Sequence, residues 1–131
     1  MALWRRALAF GFLVWLIPFS VALAIAPLKQ SWRPLFESIM PVSVAGVVVL
    51  LATMYFRRSS VRTAAEGARL GALWLAMSVL IDLPLMLSPP LSYSPAEYAA
   101  DVGVTYLMMP VITVGIAVAA GFDPPVPHRT D

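Results

Sequence analysis

Cysteine is absent from the 131-residue sequence, and histidine occurs once, as His128 in a Pro-rich tail. The first absence excludes disulfide frameworks, thiol redox chemistry and iron–sulfur ligation; the second leaves histidine-based metal, haem or triad chemistry almost nothing to work with. Charge is also scarce. Asp, Glu, Lys and Arg make up 12% of the residues, about half the share of an average soluble domain, and a net charge of +2 is too small for a nucleic-acid footprint. No cofactor motif is present and no catalytic constellation, so neither an enzymatic activity nor a cofactor is expected.

What the sequence has instead is apolar length. Hydrophobic residues account for 60% of it, and four uncharged stretches of about 17 to 20 residues each suffice to cross a hydrocarbon core of about 30 Å at 1.5 Å rise per residue. A soluble domain of this size would leave much of that surface wet. The expected fold is therefore an all-α polytopic membrane protein, an antiparallel four-helix transmembrane bundle with proline-kinked helices over residues 7–26, 34–56, 64–87 and 95–121, followed by a Pro-rich cytoplasmic tail, 122–131.

Local signals set the helix ends. The first span follows Trp4, Arg5 and Arg6; the basic start and Ala24-Ile25-Ala26 imitate a signal peptide, but the apolar run exceeds the usual 7–15 residues and Pro27 hinders cleavage, so retention is expected. Pro34, tolerated only in a first turn, starts the second helix early, with Ser31 as candidate cap and Glu37 near the positive end of the helix dipole. Thr63-Ala64-Ala65-Glu66 and Ser94-Pro95-Ala96-Glu97 are capping-box patterns for the third and fourth. Arg62 and Arg69 stand at helical neighbour positions to Glu66.

Orientation follows from basic residues in the connections. Arg5, Arg6, Arg57, Arg58, Arg62, Arg69 and Arg129 make seven on one side, against Lys29 and Arg33 on the other. Both termini are expected in the cytoplasm of a multi-pass cell-membrane protein. Trp4, Tyr55, Phe56 and Phe122 then read as anchors at the inner interface, and Trp32, Tyr93 and Tyr98 as anchors at the outer one.

Helices associate in lipid through small residues and polar contacts. Gly67, Gly71, Ser78 and Asp82 share one face of the third helix; Ser38, Pro41, Ala45, Val48 and Ala52 mark a face of the second; Thr113, Ala117 and Gly121 mark the fourth. Short connections predict that sequential helices pack as antiparallel neighbours. Pro18, Pro41, Pro84 and Pro110 each remove a backbone bond and are expected to face protein or a cavity. Met-Pro-Val-x-x-x-Gly occurs twice, at 40–46 and 109–115, on helices expected to run in the same direction, a short match that chance explains better than duplication of a two-helix unit.

Asp82 is the ionisable residue inside a span, where a carboxylate costs roughly 2.5–3.5 kcal/mol on translocon scales and needs a partner. Counting 1.5 Å per residue from the Arg-rich side, it lies about 20 Å across, level with Ser20, Ser38, Thr105 and Tyr106. These five form an expected intramembrane polar layer, with Glu37 and Asp101 at the outer interface above it and Arg33 as the nearest cation. Two roles are open. Asp82 either bonds Tyr106 or proline-freed backbone and locks helices together, or it forms a proton or cation site opening outward.

Phe36-Glu37-Ser38-Ile39-Met40-Pro41, Tyr55-Phe56-Arg57-Arg58, Glu66-Gly67 with Gly71 and Trp74, Asp82-Leu83-Pro84, and Tyr98, Asp101, Gly103, Tyr106 and Pro110 together resemble a family of small, uncharacterised four-helix membrane proteins of bacteria and archaea. The resemblance spans 36–115; it implies an integral membrane bundle and carries no activity. Small multidrug exporters differ in having a first-helix glutamate, and thiol-dependent quinone reductases in having cysteines. The expected function is a non-enzymatic bundle whose partners are the lipid bilayer and either a larger membrane complex, as an accessory subunit, or further copies of itself. The alternative is a small proton- or cation-coupled transporter or channel using Asp82.

Overall fold

The computed structural model describes residues 2–89 and 94–121. Its first long helix, α1, runs Ala2–Ala24, and a single turn, α2 (Leu28–Ser31), leads into α3 (Arg33–Arg57). Helix α4 covers Ala64–Leu87. The fourth span, Pro95–Gly121, is built in pieces: α5 (Pro95–Tyr98), a π-helical turn (Ala99–Gly103), α6 (Val104–Tyr106) and α7 (Met108–Gly121). All four spans are long and apolar enough to cross a membrane. The chain is an all-α four-helix bundle, and the tail at 122–131, with His128 and Phe122, lies outside the described residues, as does Tyr93.

Most of the start signals work as the sequence implies. Pro34 lies in the first turn of α3. Thr63 accepts a hydrogen bond from the Glu66 backbone N–H, and Ser94 and Glu97 form a complete capping box. At Thr63 only half the box closes, because Glu66 turns to the Tyr55 hydroxyl, 3.4 Å away, with Arg69 at 3.9 Å. Ser31 does not cap α3. It ends α2, donates to the Pro27 carbonyl, and leaves Trp32 as the uncapped lead-in.

Chain neighbours are not all spatial neighbours. Helix α1 packs on α3 and α4, and α7 packs on the same two, with the most extensive contact between α4 and α7. Helices α3 and α4, expected side by side, lie across a diagonal. The reason is shape. A Cβ on Gly67 would stand 2.7 Å from the Thr113 carbonyl oxygen, and one on Gly71 would strike the Pro110 backbone, so the backbones of α4 and α7 meet at a distance that no side chain would permit. Thr113 and Ala117 are fully buried against this glycine face, and the Thr113 hydroxyl lies 2.7 Å from the Gly67 carbonyl and 2.9 Å from Met109's, sharing its one proton. On the other side of α4, the Trp74 indole donates to the Ala7 carbonyl at 2.9 Å. Val48 and Ala52 of α3 complete the packed centre.

At the Arg-rich end, Arg62 does more than mark a side. Its Nε donates to the carbonyls of Phe56 at 3.0 Å and Ser59 at 3.2 Å, while Nη1 reaches Ala120 at 3.5 Å. One guanidinium thus satisfies terminal carbonyls of α3 and α7 at the negative ends of both helices. The expected pairing of Arg62 with Glu66 gives way to this clamp. Tyr55 and Phe56, read as interfacial anchors, are instead core residues, whereas Trp4 and Trp32 are 55% and 61% exposed, as anchors require.

Candidate functional site

The site begins with Asp82, which is 2% exposed on the inner face of α4. Its Oδ1 accepts from the Trp15 indole at 3.2 Å, and its Oδ2 accepts from the hydroxyls of Tyr106 at 2.9 Å and Tyr98 at 3.3 Å. Three donors from two other spans therefore converge on one carboxylate. The partnership with Tyr106 agrees with the depth count. Trp15 and Tyr98 were not legible as partners, and Tyr98, read as an outer anchor, is buried.

The π-helical turn explains why regular helical spacing does not pair Tyr98 with Asp82. In an uninterrupted α-helix, residues eight apart point about 80° apart, so 98 and 106 would face different neighbours. Between Ala99 and Gly103 the chain widens, and the Val104 N–H donates to the Ala99 carbonyl, five residues back. A π turn absorbs one residue, the spacing behaves as seven, and the two rings come to within about 20° of one face. Sequence periodicity assumes a constant 3.6 residues per turn and has no signal for this shift. Trp15 carried only a weak one, an indole N–H inside an apolar span that needs an acceptor. Its ring stacks on Phe19 with centroids 4.7 Å apart, which fixes its direction.

The rest of the expected polar layer does not assemble. Ser20 and Ser38 are exposed and donate to the carbonyls four residues back, Leu16 and Pro34. A serine on a lipid-facing helix satisfies itself this way without any partner helix. Thr105 is half-buried and likewise donates to its own helix, at the Asp101 carbonyl. Ser78 is buried, as the packing face requires, and lies 3.9 Å from the Met109 sulfur. Because α3 already starts at Arg33, Glu37 lies one turn in from the helix start, beyond the first turn expected for it, and pairs there with Arg33 at 2.7 Å, while Asp101 is exposed on the π turn.

Above the carboxylate lies a cleft of about 150 Å³, opening at the end of the bundle that carries α2. Asp82 and Tyr106 contribute to its lining, Phe19, Phe36, Met40 and Met86 to its walls, and Lys29, Arg33, Glu37 and Asp101 to its rim. Of the four helix prolines, Pro18 and Pro41 line this cleft and Pro110 abuts Gly71, but Pro84 is exposed, against expectation. It stands one turn before the end of α4, where it removes the N–H that would bond the Leu80 carbonyl. Among the described residues no group of three or more His, Cys, Asp or Glu is placed to hold a metal ion.

Fold and site together define a small four-helix bundle of membrane-spanning type, tied together at one triply hydrogen-bonded carboxylate. No protein-family profile, characterised protein or solved structure matches the chain.

If the carboxylate ties the spans together, Asp82→Leu leaves three buried donors without an acceptor. At about 0.6 kcal/mol per interhelical bond in a membrane, the expected loss is about 2 kcal/mol. Asp82→Asn keeps an oxygen for the tyrosines but turns an amide toward the Trp15 N–H, for an expected loss of about 1 kcal/mol. Thermal unfolding in mild detergent checks this order; a leucine variant as stable as the wild type would refute the role.

Proposed function

We propose that the protein is a non-enzymatic integral membrane bundle that works as a homo-oligomer or as an accessory subunit of a larger membrane complex. The observation that carries this reading is the surface left after internal packing. Gly67 and Gly71 are consumed inside the bundle, but Gly46 of α3 and Gly115 of α7 are exposed, and a Cβ built on either meets nothing within 4 Å. Helices α3 and α7 are neighbours that run in the same direction. A glycine that no internal contact requires, on a face of Val42, Val49 and Leu50, supports close approach by a second helix. The two Met-Pro-Val-x-x-x-Gly segments share these outward glycines, although Pro41 lines the cleft and Pro110 packs on α4.

Mass measurement of the protein in mild detergent is expected to show more than one chain or a stoichiometric partner, and Gly46→Leu is expected to release the monomer with its thermal stability unchanged. A strictly monomeric wild type without a partner would overturn the assembly reading. The resemblance to small four-helix membrane proteins of bacteria and archaea is compatible with it and adds no activity.

One observation favours a second reading, a small proton- or cation-coupled transporter or channel: the cleft reaches Asp82. In liposomes, Asp82→Asn is then expected to abolish flux while the protein still inserts, because an amide does not exchange a proton as a carboxyl does. Absence of flux from wild-type liposomes would remove this reading.

For sidedness, the seven-to-two distribution of basic residues supports cytoplasmic termini in the cell membrane. On that orientation the cleft faces outward. A reporter fused after residue 131 is expected to be active only in its cytoplasmic form, and an external signal would reverse the assignment.

A further inference from the structure

We propose that the cleft above Asp82 is a binding site for a small organic cation, a protonated primary amine on a single ring or a short branched chain. Three observations converge on that class of ligand. The first is charge. Five charged residues line the cleft: Asp82, Asp101 and Glu37 against Lys29 and Arg33. At the rim both signs are present, and Arg33 and Glu37 engage each other directly. Three acids against two bases leave one negative charge in excess, and Asp82 is the buried acid among them.

The second is acceptor capacity. A carboxylate offers about four lone-pair positions, and the hydrogen bonds to Asp82 occupy three, two at Oδ2 and one at Oδ1. All three donors are neutral. An ammonium group can take the remaining position at Oδ1 and supply the charge partner that an indole and two phenols cannot. The Tyr106 hydroxyl, which spends its proton on Asp82, keeps its own lone pairs for a second ammonium hydrogen.

The third is the walls. Phe19, Phe36, Met40, Val44 and Met86 are apolar, and the cleft volume of about 150 Å³ is of the size that accommodates one benzene-like ring. A bare metal ion would gain nothing from such walls, and an anion would meet Asp82 at the floor. An amine with an apolar body uses both parts: its head meets a carboxylate in surroundings that screen charge weakly, and its body packs against apolar side chains. The wall is held by the carboxylate's own partner, since Phe19 stacks on Trp15.

This inference builds on the cleft reading, not on assembly. The full-length protein in mild detergent is titrated with para-fluorobenzylammonium and followed by fluorine NMR, with para-fluorobenzyl alcohol and para-fluorobenzoate as neutral and anionic probes. Saturable binding of the ammonium is expected, at least tenfold tighter than that of the alcohol, with none of the benzoate. Asp82→Asn is expected to weaken ammonium binding tenfold or more. Met40→Trp, which fills the cleft from α3 and leaves the three bonds to Asp82 in place, is expected to abolish it, so the result does not depend on one variant folding. Equal binding of the alcohol, ammonium binding that survives Met40→Trp, or displacement of the ammonium by zwitterionic lipid would overturn the proposal. Amine binding without flux would uphold it while removing the transport reading, and proton flux without amine binding would do the reverse.

Discussion

The interaction on which the bundle depends is the convergence of Trp15, Tyr98 and Tyr106 on the Asp82 carboxylate. Apolar helices gain little from one another in lipid, because the tails are as apolar as leucine, so polar contacts and close backbones must choose the partners. One carboxylate with three donors joins α1, α4 and the fourth span at a single depth. The cost of placing an acid there is offset only when all its neighbours arrive together, which makes it a condition on the whole arrangement and not on one helix pair.

Two other devices make the same choice elsewhere along the bundle. The glycine face of α4 admits Thr113 and Ala117 of α7 so closely that the backbones nearly touch. At the Arg-rich end, the Arg62 guanidinium gathers carbonyls from the ends of α3 and α7. These contacts put α7 between α3 and α4 and leave those two on a diagonal. The cleft is a consequence. Toward the α2 end the fourth span is broken into a π turn and short α-helical pieces, Pro18 and Pro41 line the cleft, and the spans do not close over Asp82.

The break in the fourth span has a physical logic of its own. A π turn sacrifices regular hydrogen-bond geometry and is rarely retained without a compensating contact. Here the compensation is the second tyrosine: without the shift, Tyr98 would turn its hydroxyl away from the carboxylate it now meets. The residues that aim the site and the residues that distort the helix are therefore the same short segment, 98–106.

Composition and spacing determined much of this protein. Sixty per cent hydrophobic residues and four long apolar runs specify four membrane-length helices, and the caps at Thr63 and Ser94 specify where two of them begin, because both are set by contacts within a few residues. Asp82 was legible as the residue needing a partner, Tyr106 as that partner, and Gly67, Gly71 and Ser78 as a packing face, since depth and helical face follow from counting. The tertiary structure alone decided what counting cannot reach. It paired Trp15 and Tyr98 with Asp82, left Ser20 and Ser38 to bond their own helices, took Arg62 from Glu66 to two helix ends, and set α3 across from α4. Each of these outcomes depends on which groups the packed helices bring within reach of one another. A one-residue shift in the winding of one turn changes that answer without changing a letter of the sequence.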